Sequence, residues 1–139
     1  SYTHTVFDQY VDSRGIDRSG QPFPNVPDWN WSVRGSYSRS LSAGWILKSQ
    51  LVYRHVGDYI VGNGLPNQDP FFNIGGYGIV DAAIGLINSE WELTVLATNL
   101  FDSYIVTNRI QGFLFPIETH TFQTVLPPRQ VSAKLKIRF

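Results

Sequence analysis

Residues able to do chemistry occur along this chain, but hardly any stand at the spacing that chemistry needs. The three histidines, His4, His55 and His120, are dispersed, and no ligand spacing joins them into a metal site. Cysteine is absent, which removes thiolate metal sites and disulfide frameworks. The chain has no G-x-S-x-G, no H-E-x-x-H and no P-loop. Gly62-Asn63-Gly64 and Gly75-Gly76-Tyr77-Gly78 are glycine-rich, yet no helix follows to present its N-terminus to a phosphate, so they read as loop hinges. Asn30-Trp31-Ser32 matches a glycosylation acceptor but falls inside a predicted strand, where the match is chance. The expectation is a protein that is not an enzyme and uses no cofactor and no metal.

Two other sets of residues suit binding. Tyr59, Phe71, Phe72, Arg109, Phe113, Phe115 and His120 mix aromatics with cations in stretches rich in loop residues. Such a surface suits a bulky anionic chelate; the alternative is that these loops pack their own side chains and touch lipopolysaccharide. Asp81, Glu92, Lys134, Lys136 and Arg138 fall on the polar rows of alternating segments. There they solvate a wet wall, with cross-strand ion pairs worth little each when exposed.

The elements that must position these residues are strands. The closing stretch Val131, Ala133, Leu135, Ile137 and Phe139 is apolar at every odd position and polar or cationic at every even one. Strict period-2 alternation puts successive side chains on opposite faces. The same pattern runs from Trp29 to Tyr37, less cleanly from Trp45 to Tyr53, from Val80 to Leu86 and from Trp91 to Ala97. Tyr77 has the wrong parity for the Val80 to Leu86 row, so it belongs to the loop or follows a bulge. The opening run, with Tyr2, His4 and Val6 on one parity, reads as the start of another strand. No i, i+3, i+4 apolar stripe competes, and the chain is all-β. No apolar run is long enough for a transmembrane helix, and no signal peptide is visible. Formal net charge is zero, so the total argues for neither a nucleic-acid partner nor an acidic substrate, and no nucleic-acid partner is expected.

Connection lengths alternate: long from Asp8 to Asp28, short from Ser40 to Gly44, long from Gly57 to Gly76, short from Ile87 to Glu90, long from Leu100 to Pro128. In an antiparallel up-and-down sheet this gathers the long loops on one rim, as in transmembrane β-barrels. A strand of about 10 residues at ~3.3 Å each, tilted ~45°, covers roughly 23 Å, close to the ~25 Å apolar band of such barrels. With the short turns assigned to the periplasm, Tyr37, Trp45, Trp91 and Phe139 fall at the inner boundary and Trp29, Trp31, Tyr53 and Phe101 at the outer one. Two aromatic girdles result. The competing reading is a soluble β-barrel or sandwich that binds a small ligand, in which the same aromatics are core.

Several stretches also resemble one family. Trp91-Glu92-Leu93-Thr94-Val95-Leu96-Ala97-Thr98-Asn99-Leu100-Phe101-Asp102-Ser103-Tyr104 resembles the penultimate strand of TonB-dependent outer-membrane receptors, with its "NLFD" followed by Tyr. Pro127-Pro128-Arg129 before an alternating strand ending in Phe139 is similar to that family's last strand. Pro24 to Trp29 and Gly76 to Ala82 look like two earlier strand starts of the family. The resemblance implies residues 1–139 as the C-terminal segment of a barrel of about 22 strands, in the outer membrane of a Gram-negative bacterium. It implies energised uptake of a large scarce nutrient, most often a ferric siderophore, through a TonB energising complex contacted by N-terminal parts.

The chain shows neither plug domain nor TonB-contact segment and reads as a fragment. Its roughly six strands fall short of the about eight that close a barrel. In a complete receptor the charges of Asp81, Glu92, Lys134, Lys136 and Arg138 face the lumen and can contact the plug. The row Val131, Ala133, Leu135, Ile137 and Phe139 resembles the signal read by the barrel-assembly machinery, through strand addition at an exposed edge. Outer-membrane lipid is the remaining partner implied.

Overall fold

The computed structural model describes residues 1–13, 15–61, 70–114 and 118–138; at 70, 111–114 and 118–120 it describes the backbone alone. Its strands are β1 (Asn30–Ser40), β2 (Ile46–Val56), β3 (Tyr59–Ile60), β4 (Asn73–Ile74), β5 (Tyr77–Ile87), β6 (Trp91–Thr98), β7 (Val106–Leu114), β8 (Glu118–Val125) and β9 (Gln130–Ile137). The fold is all-β. The chain divides into two compact units, residues 1–31, 55–77 and 105–126 in one and residues 32–54, 78–104 and 127–139 in the other.

The long strands form a five-stranded sheet in the order β1-β2-β5-β6-β9, and it is not closed. Register shows why these sequences pair. Across β5 and β6, Ile84 meets Val95 and Leu86 meets Leu93. Across β6 and β9, Leu93 meets Leu135, Ala97 meets Val131 and Trp91 meets Ile137. The intervening positions pair Glu92 with Lys136, Thr94 with Lys134 and Thr98 with Gln130. One face is therefore an apolar row running across the three strands; the other is polar along β6 and β9 except at Leu96, and on β5 carries Asp81 with Ala83, Gly85 and Ile87.

The apolar row is uncovered. Val131 is 65%, Leu135 56% and Ile137 40% exposed, values that a second layer of a soluble sandwich would abolish. The described core is correspondingly small, with Val61, Ile74 and Ile105 as its buried apolar residues. A wall that meets solvent on one face and hydrocarbon on the other needs no thick interior.

Three stretches differ from the sequence expectation. The opening run is not a strand of the sheet: residues 1–29 fold back on themselves through the bridges Tyr2↔Trp29, Val6↔Pro22 and Val11↔Asp17. Bonds from Thr3 N–H to Asp28 O and from Phe7 N–H to Gln21 O, both 2.9 Å, hold that fold. The segment from Leu100 to Pro128, read as loop, contains the β7–β8 hairpin, with Ile110 opposite Phe122. Its Thr- and Val-bearing halves have strand propensity, but both Ile110 and Phe122 are more than half exposed. Tyr77 opens β5 directly and shares the parity of Asp81, which removes the misfit.

On the apolar parity of the same strand sits Gly78. A Cβ placed there would lie 2.7 Å from two carbons of the Tyr53 ring. Glycine leaves room for that ring close to the backbone, and a side chain would displace it.

Candidate functional site

In the unit made of residues 1–31, 55–77 and 105–126, the loop unit, two residues of β7 gather the aromatic set. Tyr59 Oη, carried on β3, donates to Thr107 O at 2.7 Å. Burial and the neighbouring Tyr77 push its hydroxyl up to about 12, so it stays protonated and donating. Arg109 Nη1 donates to Phe71 O at 3.0 Å and to Asn73 O at 3.3 Å. Its guanidinium carbon stands 5.7 Å from the centroid of the Phe71 ring, within cation–π range. Phe71 and Phe72 meet edge to face at 5.1 Å.

The structure thus brings together Tyr59, Phe71, Phe72 and Arg109, four of the residues singled out in the sequence. The cation among them is engaged by the chain's own carbonyls and ring, and its Nε is buried with no partner among the described residues. Phe113 and His120 are placed by backbone only, opposite Thr119 and Gly112. Phe115 lies outside the described residues.

On the polar face of the sheet, the expected charges make local pairs. Asp81 pairs with Arg54 and also accepts the Asn99 N–H at 3.1 Å through its other oxygen. Glu92 pairs with Arg138 at 3.3 Å, diagonally across the β6–β9 ladder rather than with Lys136, its register partner. Lys134 and Lys136 are exposed. Arg54 belongs to this row by parity and by its pair, although the sequence singled out only Asp81.

The end of β6 carries a clasp whose role the sequence does not announce. Asn99 is 6% exposed and sits in the left-handed region at φ 48, which asparagine tolerates better than most residues. Its amide donates to Ser103 O at 3.0 Å and Pro127 O at 3.2 Å, and its carbonyl accepts from Ser103 N–H at 3.0 Å. Asp102, also left-handed at φ 55, accepts the Arg129 N–H at 2.7 Å. These bonds tie the residues after β6, within "NLFD", to those before β9, within "PPR".

The aromatics placed in girdles stand near strand ends. Trp91 opens β6, and its N–H donates to Asn88 Oδ1 at 2.6 Å. Tyr37 lies in the last turn-ward stretch of β1, and Trp45 immediately precedes β2. Trp29 precedes β1, where its ring meets Tyr2 at 4.6 Å, and Trp31 stacks on His55 at 5.3 Å. Phe101 is 72% exposed. Phe139 lies outside the described residues.

A wall of antiparallel strands with an uncovered apolar face and a charged, hydrated one is a segment of a transmembrane β-barrel. The family model described as "TonB dependent receptor-like, beta-barrel" matches residues 1–100, and the chain belongs to that family. The family is one of outer-membrane receptors of Gram-negative bacteria that work with TonB. A search of curated proteins and a search of solved structures return no match.

Proposed function

We propose that this chain forms the C-terminal wall of a receptor that takes up a large scarce nutrient, a ferric siderophore foremost, across the outer membrane at TonB's expense. The observation that carries the reading is the division of the β6–β9 ladder into an apolar row, Trp91 to Ala97 against Ile137 to Val131, and a second row that is polar except at Leu96. A lipid-facing wall requires that division, and a water-soluble one would conceal it. In this reading Lys134, Lys136, Arg138, Asp81 and Glu92 face a lumen that a plug fills. The loop unit lies on the cell surface, where Tyr59, Phe71 and Phe72 offer a bulky chelate an aromatic surface stiffened by Arg109.

Uptake of labelled iron by cells, with and without the gene and with and without TonB, tests the reading. Uptake lost in both deletions is the expected result. Uptake that persists without TonB would refute energised import. Uptake unaffected by losing the gene, across a panel of ferric siderophores, would remove the siderophore as substrate.

A further inference from the structure

A second site in the loop unit has a different character from the Arg109 cluster. Between residues 22–28, 58–60 and 73–75 lies a cavity of about 310 Å³, within the size range of small-ligand sites. Its lining includes the apolar Phe23, Ile60 and Ile74, the aromatic Tyr59 and two acidic residues, Asp28 and Asp58. The walls are tied together by the Asn25 N–H, which donates to Ile60 O at 2.7 Å. Among the described residues no cation lines the cavity.

The described side chains of the unit as a whole have the same sign of balance. Among residues of the loop unit with described side chains, Asp8, Asp12, Asp17, Asp28 and Asp58 face only Arg18 and Arg109 as permanent cations. Both arginines are occupied. Arg18 forms a two-pronged, largely buried pair with Asp12, at 3.0 and 2.8 Å, and Arg109 is held by Phe71 O and Asn73 O. Asp28 has His4 Nδ1 at 3.6 Å, with both side chains at least half exposed. Asp58 is exposed and has no partner among the described residues. Two acidic residues on the wall, with no arginine among the described residues beside them, disfavour an anionic chelate. Aromatic rings beside carboxylates suit an organic cation, and the isoleucines suit the hydrocarbon that carries it.

We infer that this cavity takes a primary ammonium group borne on an apolar arm, and that the ligand of the loop unit carries it. The inference replaces the anionic chelate expected from the sequence with a neutral or cationic one. It rests on the receptor reading for the cavity's access to ligand.

The test is calorimetric titration of the intact receptor in detergent with phenethylammonium, phenethyl alcohol and phenylacetate, which share a ring and differ in charge. Phenethylammonium binds and phenylacetate does not. Asp28→Asn and Asp58→Asn each weaken the ammonium by about tenfold and leave the alcohol unchanged. Rising salt weakens the ammonium in the parent protein, a readout that needs no variant.

Equal binding of all three probes, preference for phenylacetate, or indifference to both substitutions would overturn the inference. If titration fails while TonB-dependent iron uptake persists, the cation site alone falls. If uptake proves independent of TonB, the receptor reading falls, and the titration still decides the cavity's charge preference.

Discussion

Asn99 shows how much one side chain can hold. It is buried, left-handed and engaged by three side-chain hydrogen bonds. Alanine there would leave the Ser103 N–H and two carbonyls unsatisfied and would occupy a backbone region that it disfavours. Asn99→Ala is expected to cost about 2–4 kcal/mol, read as a shift in the urea midpoint of the lipid-folded receptor. A change below about 0.5 kcal/mol would mean that the clasp is dispensable. Tyr59 supplies a pH prediction. Its hydroxyl is raised from 10.0 to about 12, so the folded state holds the proton more tightly than the unfolded chain. The stability this contributes is complete below pH 10.0 and is lost as pH rises through about 12. Ultraviolet tyrosinate titration of the parent against Tyr59→Phe checks it: the difference spectrum should develop late. Asp17 moves the other way, since the Ser19 hydroxyl and N–H both donate to its carboxylate and hold it below 3.8.

At the scale of the element, strands were readable where alternation is strict and hard to read where it is diluted. The β9 pattern settles both its faces, because Leu135 must lie on one side if Lys134 and Lys136 lie on the other. The β7–β8 hairpin was hidden because Ile110 and Phe122 have no buried face to advertise. The fold-back of residues 1–29 was hidden because isolated bridges depend on backbone bonds, which leave no periodic trace in the side chains. Of the residues grouped from the sequence, the structure brings Tyr59, Phe71, Phe72 and Arg109 together. The commitment of Arg109 to Phe71 O and Asn73 O was not legible in the sequence, because it joins residues 36 and 38 positions apart. A strand-level prediction follows from the exposed apolar row. Leu135→Arg, opposite Leu93, is expected to cost roughly 2–4 kcal/mol when that position lies near the bilayer midplane. Folding yield into liposomes measures it, and no loss would place this face outside lipid.

At the scale of the whole molecule, sheet and aromatics make a joint statement about depth. If the exposed row faces hydrocarbon, Trp29, Trp31, Trp45 and Trp91 sit at its two margins. Tryptophan fluorescence of the liposome-folded receptor should then be quenched more by lipids brominated near the glycerol than by those brominated at the chain end. The reverse order would put these rings in mid-bilayer and break the girdle reading. The ion pairs argue for restraint about charge. Arg54, Arg138 and their carboxylate partners are partly exposed, so they set local geometry more than stability.

The pairing of β6 with β9 carries one more consequence. Sliding β9 by a single position would turn both lysines outward into oil and hide Val131, Leu135 and Ile137 in water. Such a misaligned wall would be expelled by the very medium it has to enter. If this wall stands in lipid, the bilayer itself selects the alignment of the seam, because only one of the two puts hydrocarbon against hydrocarbon.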